Sequence, residues 1–228
     1  MTDYIVAAVG DWNLRLFEEL SATFIGDFHF VAAPGELDEI LSTGILPRYI
    51  FFPHWRWIVP KATVENYECI CFHMTDVPFG RGGTPLQNLI VRGYQDTVLT
   101  ALKMDEGLDT GPFYIKYPLN LKGSASEIYD RASRLSWDMI KEIITDHPTP
   151  RQQIGAVTEF VRRGPEQSKI PDNLNISQIY DYIRMLDAEG YPKAYVEKSN
   201  YRFTFENACI DGDQVLANVS ITLKDQIR

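Results

Sequence analysis

Two residue types that perform acid–base chemistry follow predicted strands in the middle of the chain. His73 ends the short apolar run 69–72, and Asp109 lies in the turn 106–111 after the β-rich run 97–104. A histidine beside a carboxylate is the commonest general acid–base pairing near neutral pH. In open α/β sheets, ligands bind at the carboxyl ends of the strands. The two positions therefore predict a catalytic site at one edge of a sheet.

The surrounding sequence alternates between predicted strands and helices that would position this pair. Short apolar runs predict further strands at 4–9, 28–32, 49–52 and 113–116. Apolar residues at helical spacing predict helices at 14–24, 36–41, 86–91 and 124–147. Ser124 or Ser126 can cap the last of these helices. The alternation favours an α/β fold with a Rossmann-like, mostly parallel sheet flanked by helices.

The C-terminal part of the chain changes character. A strand at 156–161 leads into 162–165, whose Gly, Pro and charged residues predict a linker. A helix capped by Ser177 follows, with short strands near 195, 203–205 and 215–223. We therefore predict a catalytic domain at 1–165 and a small mixed α+β C-terminal subdomain at 166–228. The subdomain is too small for a robust core of its own and is expected to pack on the main domain.

Composition and charge restrict the class of protein. The 228-residue chain is 45% hydrophobic, with a formal net charge of −9 and a pI near 4.9. An acidic chain is a poor partner for nucleic-acid phosphates. Three cysteines, the lack of a signal segment and the lack of an 18-residue apolar run favour a soluble cytoplasmic protein without a membrane partner.

The loop after His73 carries a pattern of breakers and one arginine at fixed offsets: Pro78, Arg81, Gly82 and Pro85. Asp109 follows His73 by 36 positions, within a Leu-Asp-x-Gly string. With the upstream segment 54–60, these residues resemble the folate-dependent formyltransferases. The resemblance covers 1–165 as a fold and is specific across 54–111. The amino-acid sequence of 73–83 looks most like that of the branch that formylates amino sugars on nucleotide carriers.

That resemblance implies a reaction and two substrates. The expected donor is 10-formyltetrahydrofolate, and the expected acceptor is the amine of a UDP- or dTDP-linked amino sugar, with no nucleic-acid partner. His73 would stabilise the tetrahedral intermediate and relay a proton, and Asp109 would orient His73 and accept charge. The alternative is an enzyme like methionyl-tRNA formyltransferase, or a catalytically impaired relative that binds folate or a sugar nucleotide. A homodimer is compatible with each of these.

The resemblance also implies two sets of binding residues. Folate-binding candidates are Trp55, Arg56, Trp57, Ile58 and Leu108. Candidates for the acceptor, or for a hydrogen bond to the formyl oxygen, are Trp12, Asn13, Thr75, Arg81, Gln87 and Asn88. Simpler interpretations stay open, because an aromatic run after a strand is often core and an arginine in a glycine-rich loop often braces it.

Cys71 is where the chain departs from the family pattern. The family has an asparagine at this position, two residues before the histidine, and its amide donates to the formyl oxygen. A thiol is a much weaker donor. Another group must replace that donor, or the activity is impaired or changed. In the simplest interpretation Cys71 is a small buried apolar residue of the strand.

Three other kinds of chemistry are weaker matches. The string Cys69-x-Cys71-x-His73 places three metal-ligand types on one strand face, but it lacks a fourth ligand, so we predict no metal. Asp109-Thr110-Gly111 matches the aspartic-protease triplet, yet that site needs two such motifs in a β-barrel fold. The turn after the first strand lacks the Gly-x-Gly-x-x-Gly of dinucleotide-binding folds.

Overall fold

A six-stranded sheet forms the scaffold of the computed structural model, which describes residues 1–224. The strands of the protein are β1 (Asp3–Ala8), β2 (Asp27–Val31), β3 (Tyr49–His54), β4 (Cys69–His73), β5 (Arg81–Gly82), β6 (Asp96–Lys103), β7 (Phe113–Asn120), β8 (Glu159–Phe160), β9 (Ala194–Lys198), β10 (Tyr201–Asp211) and β11 (Gln214–Leu223). The large sheet has the order β2-β1-β3-β4-β6-β7. Strands β2, β1, β3 and β4 run parallel, and β6 pairs antiparallel with β4. The predicted Rossmann-like, mostly parallel sheet is therefore confirmed.

The helices connect these strands. They are α1 (Asp11–Leu20), α2 (Pro34–Ser42), α3 (Lys61–Asn66), α4 (Pro85–Ile90), α5 (Ala125–Asp146) and α6 (Ile176–Arg184). Ser124 caps α5, because its hydroxyl accepts from the Glu127 N–H at 3.3 Å while the Glu127 carboxylate accepts from the Ser124 N–H. No helix within residues 1–224 combines the length and the apolar content that crossing a membrane requires.

The cap predicted for α6 was wrong. Asn175, not Ser177, is the N-cap: its side-chain oxygen accepts from the Gln178 N–H at 2.9 Å. The Gln178 side chain accepts in turn from the Asn175 N–H at 3.0 Å, which completes a capping box. Ser177 lies inside the first turn, because the reciprocal Asn–Gln pair starts the helix two residues earlier than a serine cap would.

The parallel strands bring three segments to one edge of the large sheet. Strands β1, β3 and β4 are all parallel, so their carboxyl ends at Ala8, His54 and His73 lie on the same side. The Val9 N–H donates to the His54 carbonyl at 2.9 Å, which ties the first two ends together. Antiparallel β6 contributes Thr100 opposite His73. This is the edge at which the sequence predicts the site.

The chain divides into two compact units that are discontinuous in sequence. The first comprises Met1–Gly82, Thr97–Leu119 and Asp130–Glu159, and the second comprises Gly83–Asp96, Asn120–Tyr129 and the chain from Phe160. The second unit holds a three-stranded antiparallel sheet, β11-β10-β9, with α6 against β10. The division into 1–165 and 166–228 stays a prediction, and residues 225–228 of that subdomain lie outside the described residues.

Two strand boundaries differ from the sequence prediction. The strand predicted at 156–161 contains only the two residues of β8. Its neighbours instead follow an irregular path, in which the Thr158 carbonyl accepts from the Arg81 N–H. Strand β10 is longer than the predicted 203–205, because the polar residues around the aromatic core of the strand continue the ladder with β11.

Candidate active site

His73 and Asp109 face each other in the first unit. His73 Nδ1 lies 3.5 Å from Asp109 Oδ2, and the two side chains are 8% and 12% exposed. His73 is the last residue of β4, and Asp109 lies in the turn between β6 and β7. The structure thus brings together the two residues whose spacing predicted a catalytic pair.

The second ring nitrogen of His73 fixes where its proton resides. Nε2 lies 2.8 Å from the carbonyl oxygen of Gly80, which Thr75 Oγ1 also approaches to 3.2 Å. A carbonyl oxygen can only accept, so Nε2 carries the proton. In the neutral tautomer that this contact selects, the lone pair is on Nδ1, the nitrogen that faces Asp109. This arrangement makes Nδ1 a proton acceptor.

The Asp109 carboxylate is held by the backbone of the glycine-rich loop. Its Oδ2 accepts from the Gly82 N–H at 2.9 Å. Asp109 itself has a φ of 56°, in the left-handed region that few side chains other than Asn and Asp adopt readily. At Gly111, a Cβ would lie 1.9 Å from the Lys103 carbonyl oxygen, so only glycine fits there. The turn is specified by its backbone geometry as well as by its carboxylate.

Arg81 and a residue without any sequence motif brace this turn. Arg81 donates from Nε and Nη2 to Gln153 Oε1 at 3.1 and 2.8 Å. Gln153 Nε2 donates in turn to the carbonyl oxygens of Asp109 and Gly111 at 2.9 and 2.7 Å. Sequence reasoning missed Gln153, since it lies in an irregular segment where neither periodicity nor spacing marks it. The bracing role considered for Arg81 is thus present in the structure.

Cys71 lies on β4 two residues before His73, and it lines a small cleft of about 50 Å³ beside the Asp109 turn. Burial, and then the charge of Asp109, raise the pKa of the Cys71 thiol far above its usual range. Burial also raises the pKa of the Cys69 thiol, to about 12. Both thiols therefore stay protonated near neutral pH. Within residues 1–224, no group of three or more His, Cys, Asp or Glu side chains is placed to hold a metal ion.

The predicted folate-binding residues form a partly exposed apolar surface in the same unit. Trp55 packs on the buried cluster that contains Val59, and Cys71 and Met104 pack on the same cluster. The Trp57 ring meets the Trp55 ring edge-on, with centroids 4.8 Å apart, and the Arg56 guanidinium lies over Trp57. Trp57, Ile58 and Leu108 are 40%, 84% and 61% exposed. Leu108 also lines the cleft, and exposed apolar side chains of this kind fit a flat, largely apolar ligand.

The loop that carries Trp57 is tied to the Asp109 turn. Lys61, at the start of α3, forms an ion pair with Glu106 at 2.6 Å. Below the loop, burial and the nearby Arg56 charge lower the pKa of His54 to about 4, so this imidazole is neutral near pH 7. The Trp12 ring lies against His54, with centroids 5.7 Å apart. The start of α3, which follows the predicted donor-binding segment 55–58, is thus in contact with the Asp109 turn.

The polar candidates for the acceptor differ in what they contact. Asn13 is buried and donates to the Val9 carbonyl at 2.7 Å, while its Oδ1 has no hydrogen-bond partner among the described residues. In the second unit, Gln87 donates to Tyr129 Oη and to the Met185 carbonyl. Asn88 donates to carbonyl oxygens of the same unit: Gly83, Thr84 and Val161. Their assignment to the acceptor site stays a prediction.

Comparison with known proteins identifies the class. A solved structure of methionyl-tRNA formyltransferase from Clostridium thermocellum is 43% identical, covers 98% of this chain and 100% of that chain, and gives a TM-score of 0.93. Residues 165–222 match the family model described as methionyl-tRNA formyltransferase, C-terminal domain. The chain therefore belongs to the formyltransferase family, as its motifs predicted. Members of this family use formyltetrahydrofolate, the donor that the sequence implied.

Curated relatives and more distant structures add detail. Methionyl-tRNA formyltransferase of Sinorhizobium medicae is 28% identical over 150 residues, which are 61% of this chain and 47% of that enzyme. The chain spans about half the length of the curated relatives it matches. HypX from Aquifex aeolicus, solved with tetrahydrofolic acid, is 15% identical, covers 91% of this chain and 38% of that chain, and has a TM-score of 0.72. A 4-N formyltransferase from Francisella tularensis and a sugar N-formyltransferase from Shewanella share the fold, each at 16% identity.

Proposed function

We propose that the protein is an N-formyltransferase that moves a formyl group from 10-formyltetrahydrofolate to a primary amine. The observation that carries this proposal is the buried pair of His73 Nδ1 and Asp109 Oδ2, 3.5 Å apart beside a cleft. Formyl transfer needs a group that takes a proton from the attacking amine and returns it to the leaving nitrogen. The His73 tautomer that carries its lone pair on Nδ1 meets that requirement.

The proton follows a closed path in this proposal. The amine becomes positively charged as it attacks the formyl carbon, and His73 Nδ1 removes its proton. The proton then passes to the folate nitrogen as the carbon–nitrogen bond breaks. The products are an N-formyl amine and tetrahydrofolate, so atoms and charges balance. Throughout, the second nitrogen of His73 keeps its hydrogen bond to Gly80.

Asp109 stabilises the charged form of His73 in the middle of this path. Its Oδ2 lies 3.5 Å from Nδ1, so the negative charge faces the ring nitrogen that takes up the proton. The Gly82 N–H holds the same carboxylate oxygen at 2.9 Å, so the charge does not have to move during the reaction. Imidazolium Nδ1–H can also donate to the oxyanion of the intermediate. This second use of Nδ1 compensates in part for the thiol at position 71.

The residues suited to the donor are those of the partly exposed apolar surface. Trp55 and Trp57 offer ring faces and edges, and Leu108 offers an exposed side chain on the Asp109 turn. The donor supplies an activated formyl group on an aryl nitrogen. Leu108 and Asp109 both line the cleft, so this turn offers an apolar side chain for the donor next to the carboxylate of the acid–base pair.

Similarity favours methionyl-tRNA as the acceptor. The 43% identical relative that bears this name matches over its whole length, whereas sugar N-formyltransferases match only as a fold. The comparisons therefore support the alternative given above better than the main prediction of an amino-sugar nucleotide.

One observation favours the smaller acceptor as a second candidate. Between residues 165 and 224, nine acidic side chains outnumber six basic ones. Binding of a tRNA depends on Lys and Arg contacts to its phosphates, each of which contributes to affinity and to its salt dependence. An amino-sugar nucleotide carries only two phosphates and needs far less positive charge.

A single set of initial-rate measurements tests both the reaction and the acceptor. Purified protein is given 10-formyltetrahydrofolate with either methionyl-tRNA or a panel of UDP- and dTDP-linked amino sugars, and tetrahydrofolate release is followed together with formylated product. We expect turnover with methionyl-tRNA that falls as salt rises. Turnover confined to a sugar nucleotide would replace the first acceptor by the second. No turnover with any acceptor, despite folate binding, would refute the proposed reaction and indicate an impaired relative.

A further inference from the structure

Gln153 joins the two loops that hold the acid–base pair. It lies in the irregular segment between α5 and β8, and its side chain is half-buried. Its carboxamide oxygen accepts two hydrogen bonds from the Arg81 guanidinium. Its amide nitrogen donates to the carbonyl oxygens of Asp109 and Gly111. Both N–H groups and the oxygen of the carboxamide are therefore in use.

The orientation of this carboxamide is determined by its partners. A guanidinium can only donate, and the two backbone carbonyls can only accept. Rotating the amide by 180° would place donors against donors and acceptors against acceptors, so all four contacts favour the same arrangement. Among the neutral side chains, only an amide supplies donors on one side and an acceptor on the other at this reach. The contacts thus specify glutamine at this position.

These contacts form a closed ring with the Asp109 carboxylate. Starting at Asp109, the ring runs from its carboxylate to the Gly82 N–H, through the adjacent Arg81 guanidinium, and then through Gln153 back to the Asp109 carbonyl. The backbone at Asp109, with a φ of 56°, lies in the uncommon left-handed region, and this ring helps to hold it there. Gln153 holds the carbonyl groups of Asp109 and Gly111, on either side of Thr110. It therefore fixes the direction in which the Asp109 side chain projects from the backbone.

We propose that Gln153 is a positioning residue that sets the distance between Asp109 and His73. It acts through the Asp109 turn and does not touch the reacting atoms. The inference rests on the proposed function, since the distance matters only if His73 becomes charged. A shift of the carboxylate by about 1 Å is expected to cost on the order of 10- to 100-fold in kcat.

The sharpest variant is Gln153→Glu. It keeps an acceptor for Arg81 but replaces two donors by a carboxylate oxygen, which repels the carbonyls of Asp109 and Gly111. Gln152→Glu adds the same charge at the exposed neighbouring position and serves as the control. We expect kcat to fall about 10- to 100-fold in Gln153→Glu with KM for the donor within about threefold, and the control to stay within about twofold. Equal kcat in Gln153→Glu and wild type would overturn the proposal.

A double-mutant cycle separates positioning from general support. If Gln153 acts through the carboxylate, Gln153→Glu should cost less than about twofold when Asp109→Asn is already present. Additive losses would mean that Gln153 supports the fold and not the pair, and would overturn the inference.

Crystal structures of wild type and Gln153→Glu give a readout that does not depend on turnover. We expect the Asp109 carboxylate to leave the Gly82 N–H and to move away from His73 Nδ1. An Asp109 that stays in place would overturn the proposal. A wild-type enzyme without turnover on either acceptor would refute the proposed function, and the crystallographic comparison would then decide by itself whether Gln153 places Asp109.

Discussion

The two sides of the candidate site depend on different interactions, hydrogen bonds on one side and apolar surface on the other. The proton-relay side, consisting of His73, Asp109, the Gly80–Gly82 loop and Gln153, is closed by hydrogen bonds among its own groups. The donor side, consisting of 55–58 and Leu108, leaves large apolar side chains in water. The first is preorganised before any ligand binds, whereas the second gains its burial only from a ligand. Substitutions on the two sides should therefore change different kinetic constants.

The largest effect is expected from Asp109→Asn on the proton-relay side. Asparagine tolerates the left-handed backbone and can still accept from the Gly82 N–H, so shape is kept while the charge is lost. Without that charge the His73 imidazolium is no longer stabilised, and we expect kcat to fall about 100- to 10,000-fold. The donor Kd should change less than about threefold, as measured by equilibrium binding.

Asp38→Asn provides the matched control for this change. Asp38 is exposed on α2, so the same chemical replacement there should leave both kcat and the donor Kd unchanged. Undiminished turnover in Asp109→Asn would reassign the carboxylate to a purely structural role.

The next effect concerns His54, the half-buried residue that precedes the donor side in sequence. His54 has its pKa lowered to about 4 by burial and by Arg56, against an ordinary value of about 6.5. As pH falls from about 6.5 toward 4, the unfolded chain takes up a proton that the folded chain resists, so stability present above pH 6.5 is lost. Linkage gives a loss of up to about 3 kcal/mol in the free energy of unfolding over this window.

Replacing His54 isolates this contribution from those of the carboxylates. Urea unfolding of wild type and His54→Gln at pH 7, 5.5 and 4.5 should show a shallower pH dependence in the variant. His147→Gln, a change at an exposed histidine, should leave the wild-type slope intact. Parallel pH profiles for wild type and His54→Gln would show that the pKa of His54 is not lowered in the folded protein.

A smaller effect is expected from Trp57→Ala on the donor side. Loss of a partly exposed aromatic surface should weaken donor binding about tenfold, since aromatic contacts contribute about 1 to 1.5 kcal/mol. At saturating donor, kcat should stay within about threefold, in contrast to Asp109→Asn. Leu46→Ala removes an exposed apolar side chain outside the site and should change neither constant. A fall in kcat without weaker donor binding would show that Trp57 acts in the chemical step, and would contradict the division into a donor side and a proton-relay side.

How much of the site could be predicted from sequence follows the same division. His73 and Asp109 were predictable, because each follows a strand and because their loops carry Gly and Pro at characteristic spacings. Gln153, which braces the Asp109 turn, was not predictable, since it is 44 positions from Asp109 and 72 from Arg81 in the sequence. Contacts at such separations depend on the path of an irregular segment, which leaves no periodic signal. The antiparallel direction of β6 was hidden for a related reason: a strand's apolar pattern does not record its direction.

The smallest effect is expected at Cys71, where the chain departs from the family pattern. The thiol lines the cleft beside the Asp109 turn, and burial keeps it protonated and apolar in character. If Nδ1–H of charged His73 already donates to the oxyanion, the thiol contributes little. Cys71→Ala should then keep kcat within about threefold, although losing a true oxyanion donor typically costs on the order of 100- to 1,000-fold.

Cys71→Asn distinguishes a working enzyme from an impaired relative. In a working enzyme the added amide meets an oxyanion that already has a donor, so kcat should change by less than about tenfold in either direction. In an impaired relative, wild type would show no turnover and Cys71→Asn would gain a trace. We expect the first result, because the hydrogen bonds around Asp109 hold its carboxylate facing His73, the position that proton transfer to His73 requires. Initial rates of wild type, Cys71→Ala and Cys71→Asn, measured with 10-formyltetrahydrofolate and both acceptor classes, decide between a working enzyme and an impaired relative. A gain confined to Cys71→Asn would show that the proton-relay side is preorganised but that the wild-type protein has no working donor to the formyl oxygen.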